Sequence, residues 1–172
     1  MTEIIRQLLK KPVSYDSTYF DPEFEEVGII LKQEIASIFG RSIAIRQVDC
    51  GSDNAAEVEI NALSSPCYDI ERFGIFFVAS PRHADLLMVT GAVTHNMVFA
   101  LQKTYKATPS PKYVMAVGDD ACDKGRLKNS YAIAGPVRDF IPVDMEVMGN
   151  PPEPVTIIRA LLMLMKKARS SS

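Results

Sequence analysis

The sequence predicts an α/β fold: a doubly wound parallel sheet in a single domain, with an N-terminal arm and a C-terminal helix. Three observations point there. Ile75 to Ala79, Leu86 to Val89 and most of Lys112 to Val117 are apolar without interruption, which suits strands covered on both faces. Stretches with apolar residues at helical spacing alternate with them, as crossover connections between parallel strands require. A chain of 172 residues with 47% hydrophobic content is long enough to bury one full core.

Each element follows from its own pattern. Residues 1–22 form the arm: Ile4, Ile5, Leu8 and Leu9 fall at helical spacing, and Pro12 to Pro22 is extended chain rich in Tyr, Ser and Asp. Four apolar residues on so short a helix need a surface, and a larger partner is the favoured one. The domain runs over 23–169. Glu23 to Phe39 is a helix whose stripe includes Val27, Ile30, Leu31, Ile35 and Ile38, with Gly40 as its C′ residue. Ile43 to Val48 alternates and is a strand. Glu57 to Leu63 is a short helix, Pro66 breaks the chain, and Asp69 to Phe73 makes a turn or a single helical turn. Thr94 is expected to cap a helix reaching about Tyr105, with His95 in its first turn. Ile141 to Val147 contains Pro142 and is therefore an edge segment. Pro154 opens the last helix, Val155 to about Arg169, at a position where its missing N–H costs little. That helix is apolar nearly all round, so its own domain or a partner must bury it. Residues 170–172 are a frayed tail.

Bulk properties exclude several classes. A net charge of −2 and a pI near 5.7 give no reason to expect nucleic acid as a partner. The longest apolar run, Ala160 to Met165, falls far short of the ~20 residues that span a bilayer. The N-terminus has no apolar core segment or small-residue cleavage site of a signal peptide. Three cysteines at irregular spacing make no disulfide framework, which suits the cytoplasm.

The stretch Asp49 to Ile60 is a strand-to-helix loop, the place where open α/β sheets bind ligands. Three further loops are expected to converge on it: Gly118 to Cys122, Met148 to Pro152 and Ser80 to His83. The segments Ser64 to Gly74 and Ser80 to Gly91 resemble the small subunit of energy-converting NiFe hydrogenases of the formate-hydrogenlyase type. The same family includes the complex I subunit that carries the last iron–sulfur cluster before quinone. The resemblance spans roughly residues 40 to 165. It implies a flavodoxin-like strand order, which periodicity alone would not choose. It also implies a hydrogenase- or complex I-type large subunit and antiporter-like membrane subunits as partners, and a peripheral place on the cytoplasmic face of the membrane.

The resemblance further implies a 4Fe–4S cluster on four cysteines. Two belong to a Gly-Ser-Cys-x-x-Cys-Glu type loop, one to a Gly-x-Cys-Ala type loop and one to a Pro-Gly-Cys-Pro-Pro type loop. Here those places hold Asp53 and Ala56, Asp120, and Asn150, while Gly51, Ser52, Gly118, Pro151 and Pro152 keep the scaffold. Such clusters are held by thiolates. Carboxylate and amide oxygens are hard donors, and alanine donates nothing. No cofactor is therefore expected in this sequence. Cys50 and Cys122 could host a displaced cluster only across a shift of two or three residues, several ångströms of chain. They and Cys67 read otherwise as ordinary small residues. Asp53, Asp120 and Asn150 could alternatively hold a hard cation or simply meet water.

The resemblance places Glu57 and Glu59 near the large subunit; their other reading is a solvated helix start. It puts Arg82 and His83 at the same active interface; His83 alternatively makes loop hydrogen bonds to Asp85 or the backbone. The interface expectation is therefore Glu57, Arg82 and His83. With two histidines, no Ser-His-Asp or Cys-His arrangement can be defended, and Gly118-Asp119-Asp120 lacks the ending of a phosphate loop. Three functions stay open: a docking subunit of an oxidoreductase complex that has lost its cluster and is not catalytic alone, an electron-transfer subunit with a non-standard ligand set, and a free-standing binding module with a metal or small molecule in the emptied pocket.

Overall fold

A computed structural model describes residues 22–170. The arm expected over 1–22 lies outside them except for Pro22, which begins the first helix. In chain order the elements are helix α1 (Pro22–Phe39), strand β1 (Ile43–Asp49), helix α2 (Ala55–Leu63), a 3-10 turn (Ile70–Phe73), β2 (Ile75–Phe77), a 3-10 turn (Pro81–His83), β3 (Leu86–Thr90), β4 (Val93–Thr94), α3 (Val98–Ala107), β5 (Tyr113–Val117), β6 (Ile133–Gly135), a 3-10 turn (Val137–Asp139), β7 (Met145–Val147) and α4 (Pro154–Ser170).

Five strands pair in parallel in the order β2-β1-β3-β5-β7, while β4 and β6 form a separate antiparallel ribbon. Counting only the five in the main sheet, the order is 2-1-3-4-5, that of flavodoxin-like folds, with its switch point between β1 and β3. Registers run Ile43 opposite Ile75, Ile45 opposite Leu86, Leu86 opposite Tyr113 and Met115 opposite Met145.

The uninterrupted apolar strands serve two cores. Side chains alternate across a strand, so Ile43, Ile45, Leu86, Met88, Met115 and Val117 join α1, α2 and α4 on one face. Val48, Leu87, Val89, Val114 and Ala116 join Leu101 of α3 on the other. Helix α4 is the centre of the first core. Ile157, Ile158, Leu161, Leu162, Leu164 and Met165 are buried, and only Met163 of its large apolar residues is exposed. Its own domain thus covers the helix, much of it through α1.

Several local expectations shift. Thr94 does not cap α3; it sits in β4, and Met97 precedes the helix with no side-chain cap. His95 is consequently in the turn before α3, exposed, with its amide bonded to the Ala132 carbonyl. Pairing with the β6 region competes with helix formation there and wins. β2 stops at Phe77, two residues before Ala79, since its partner register on β1 ends at Ile45. α2 begins at Ala55 rather than Glu57. β7 is an edge strand as expected, but starts at Met145, after Pro142.

Candidate functional site

Three loops leave the carboxyl ends of parallel strands and meet beside the switch point. They are the loop after β1 (residues 49–56), the loop after β5 (118–122) and the loop after β7 (148–152). One cavity is lined by Ser52, Asp53, Ala56, Asp119, Asp120 and Asn150, together with neighbouring backbone. All four positions that the resemblance gives to cluster cysteines therefore face one space. That space is only about 10 Å³, the lower limit for a single water.

The loops are held by their own hydrogen bonds. Asp49 Oδ1 accepts from the Gly51 and Ser52 amides at 2.8 and 2.9 Å. Ser52 Oγ accepts from the Asn54 amide and donates to Glu57 Oε2 at 2.6 Å, while Asp53 Oδ1 accepts from the Ala55 amide. The Asp119 amide donates to the Gly149 carbonyl at 2.9 Å, and the Gly149 amide returns a bond to Asp119 Oδ1 at 2.8 Å. This reciprocal pair ties the second loop to the third. Gly91, after β3, has φ of +73°, and a Cβ there would collide with the Ser52 amide nitrogen. Glycine lets the backbones of two loops touch.

Asp120 is an acid whose titration this site perturbs. Burial raises its carboxyl above the ordinary range, the Leu127 backbone amide opposes this, and the charges of Asp53 and Asp119 add to the rise. Its Oδ1 is buried without a hydrogen-bond partner among the described residues. Among those residues no group of three or more His, Cys, Asp or Glu side chains could hold a metal ion.

The donors present do not fit a 4Fe–4S cluster. Asp53, Asp120 and Asn150 offer hard oxygens, Ala56 offers nothing, and the cavity would have to open many-fold. The nearby thiols do not replace them. Cys50 and Cys122 are 0% and 2% exposed and belong to the core on the opposite sheet face. Burial, then Asp49, pushes the Cys50 thiol up to about 12. Burial, then Glu146, pushes Cys122 up to about 11. Both pack in that core, and neither lines the cavity. Cys67 is exposed and does not line the cavity.

The expected interface trio is not one patch. Glu57 is buried, 7% exposed, so the solvated-helix-start reading is wrong: Ser52 holds one carboxylate oxygen, and the other has no partner among the described residues. Glu59 is half-buried. Arg82 and His83 are exposed, but the Ser80 to His83 loop does not converge on the cavity. It precedes β3, and in a parallel sheet the loop before a strand lies at the opposite end from the loop after its neighbour. Arg82 and His83 line a second cavity, about 340 Å³, together with Arg41, Phe76, Val78 and Asp85. Sequence patterns gave no sign of that cavity, since Arg41 and Asp85 are 44 positions apart and pair only in the fold. The hydrogen bond considered between His83 and Asp85 is not made; Asp85 pairs with Arg41 instead.

Known proteins are similar to this chain in architecture and sequence. A family model described as NADH ubiquinone oxidoreductase, 20 kDa subunit, matches residues 53–164. The probable membrane-bound hydrogenase subunit mbhJ of Pyrococcus furiosus is 40% identical over 136 residues, 78% of this chain and 80% of that protein. Formate hydrogenlyase subunit 7 of Escherichia coli is 37% identical over 133 residues, 77% of this chain but only 52% of that relative, so the chain spans about half its length. Among solved structures, a chain of the membrane-bound sulfane sulfur reductase, an archaeal respiratory membrane complex, superposes with a TM-score of 0.68 at 28% identity, covering 89% of this chain and 78% of the other.

Proposed function

This chain belongs to the NADH ubiquinone oxidoreductase 20 kDa subunit family, and from that premise we propose that it is a docking subunit of a membrane-associated hydrogenase- or complex I-like assembly that has lost the family's cluster. It is homologous to membrane-bound hydrogenase and complex I-like small subunits, whose family binds a 4Fe–4S cluster. Under this reading the chain carries no electrons and is not catalytic alone. It holds a large subunit in place and stands peripherally on the cytoplasmic face. Among the described residues no helix is long and apolar enough to cross a membrane, so attachment would come through other subunits, the antiporter-like ones among them.

One observation carries the reading. Asp53, Ala56, Asp120 and Asn150 line a single cavity of about 10 Å³ with no thiolate among them. The loops close on each other through Asp49, Ser52 and Asp119. The scaffold that would grip a cluster is here braced by the protein's own hydrogen bonds. A large subunit would then meet a preformed surface, which lowers the ordering cost of association. Arg82 and His83, exposed at the end of the sheet opposite the cavity, are the proposed contact points, while Glu57 is buried and braces the loop through Ser52.

Two measurements test this. A tagged full-length chain drawn from its native host should bring a hydrogenase- or complex I-type large subunit with it. The isolated chain, purified without oxygen, should contain no stoichiometric iron or acid-labile sulfide. A chain with about four irons would overturn the loss of the cluster, and a chain that travels alone would favour the free-standing module.

A further inference from the structure

We infer that the groove at the amino end of β1 and β3 receives an acidic segment of a partner polypeptide, one carboxylate side chain flanked by an apolar one. The inference rests on the docking role proposed above and supplies the chemistry of one contact. The groove holds about 340 Å³, room for one or two side chains and close to the small end of ligand sites.

Its floor is a built ion pair. Arg41 Nη2 donates to Asp85 Oδ1 at 2.7 Å, and Arg41 Nη1 to Asp85 Oδ2 at 2.9 Å. The Ala44 amide donates to the same Oδ2 at 2.9 Å. Asp85 is 7% exposed and its charge is already met, so it does not repel an incoming anion. A guanidinium has five N–H donors. Asp85 takes two from Arg41 and the Ser42 carbonyl a third, leaving two. Arg82 and His83 are exposed, and their side chains make no hydrogen bond or ion pair among the described residues. A guanidinium matches a carboxylate with two parallel bonds.

The remaining walls are apolar. Phe76, on the sheet's edge strand β2, is 36% exposed, with Val78 and Pro109 beside it. A small inorganic anion would use only the cationic rim and leave Phe76 wet. A carboxylate next to an apolar side chain uses both parts. The chain as a whole carries −2, so this local positive group is a charge-complementary recess rather than part of a general basic surface.

The test uses the native complex. Arg82→Lys keeps the cation and adds a primary amine, which a zero-length carbodiimide joins only to a carboxylate in contact with it. Mass spectrometry should find the introduced amine coupled to an Asp or Glu of a second subunit. Arg82→Glu should reduce retention of that subunit about tenfold or more with the melting temperature unchanged, because surface substitutions cost little stability. If the larger subunit co-purifies normally but position 82 couples to no partner carboxylate, the inference fails and the docking role stands. If no larger subunit accompanies the wild-type chain, both fail. Retention unchanged in Arg82→Glu alongside a collapsed melting temperature also overturns it, because Arg82 would then be a structural residue.

Discussion

At the scale of single residues, the cavity between the three loops is marked by one acid held partly out of water. Asp120 has its carboxyl raised by burial first and by Asp53 and Asp119 after that. The folded state therefore holds the proton more tightly than the unfolded chain. Between the ordinary value and the raised one the folded state binds more protons, so stability falls as pH rises through that window. Asp120→Asn should raise the melting temperature at pH 7, and the gain should vanish as the pH falls below the ordinary aspartate value. An equal gain at both pH values would mean that charge is not its source. Gly91 gives the opposite sign. With φ of +73° and the Ser52 amide where a Cβ would go, Gly91→Ala should cost roughly 2 kcal/mol or more. That corresponds to a fall of about 4–8 °C in melting temperature for a domain of this size. A loss below one degree would show that the loops after β1 and β3 are free to part.

At the scale of elements, α4 joins sequence to core. Its apolar residues reach almost round the helix, yet the fold separates them sharply. Leu161 is 2% exposed and Met163 is 56% exposed. Leu161→Ala should destabilise by about 2–5 kcal/mol through lost burial and the cavity left behind. Met163→Ala should change stability of the isolated chain by no more than about 0.5 kcal/mol. Chemical denaturation of the two variants checks both. Equal losses would mean that α4 is covered on all sides and that its exposed stripe has been misplaced. The same element carries Arg169, whose guanidinium lies 2.8 Å from the buried Glu34 on α1, so the first and last helices are joined by charge as well as by packing.

At the scale of the whole molecule, the expected result is a colourless protein. Replacing Asp53, Ala56, Asp120 and Asn150 together (D53C/A56C/D120C/N150C) should restore broad visible absorption and about four irons per chain after anaerobic reconstitution, because the loops already meet at one cavity. Cys50→Ser and Cys122→Ser in that background should leave the colour unchanged, since both thiols lie in the core on the other sheet face. A wild-type chain that is brown as isolated, and bleaches when either of those two is replaced, would instead mean that the cluster has moved.

The sequence alone determined the fold class, the strands of the parallel sheet with the helices between them, and the absence of cysteine at the four positions where the resemblance places cluster ligands, but not the β4–β6 ribbon. Periods of 2 and 3.6 report local backbone geometry, so Leu86 to Val89 and Val155 to Arg169 were readable in one dimension. A missing cysteine is likewise a fact about one position. Tertiary structure decided what depends on neighbours distant in sequence. Glu57 was expected at an interface or, alternatively, at a solvated helix start, and it is buried under Ser52. Thr94 looked like a cap and is taken by pairing with β6. Ser80 to His83 looked like part of the cavity. It lies at the far end of the sheet because it enters β3, while the cavity loops leave β1, β5 and β7. Strand direction and pairing set that difference, and so does the contact of Arg41 with Asp85 across 44 positions. Neither is encoded in any local period, because both arise only when the parallel sheet brings separate segments of chain side by side.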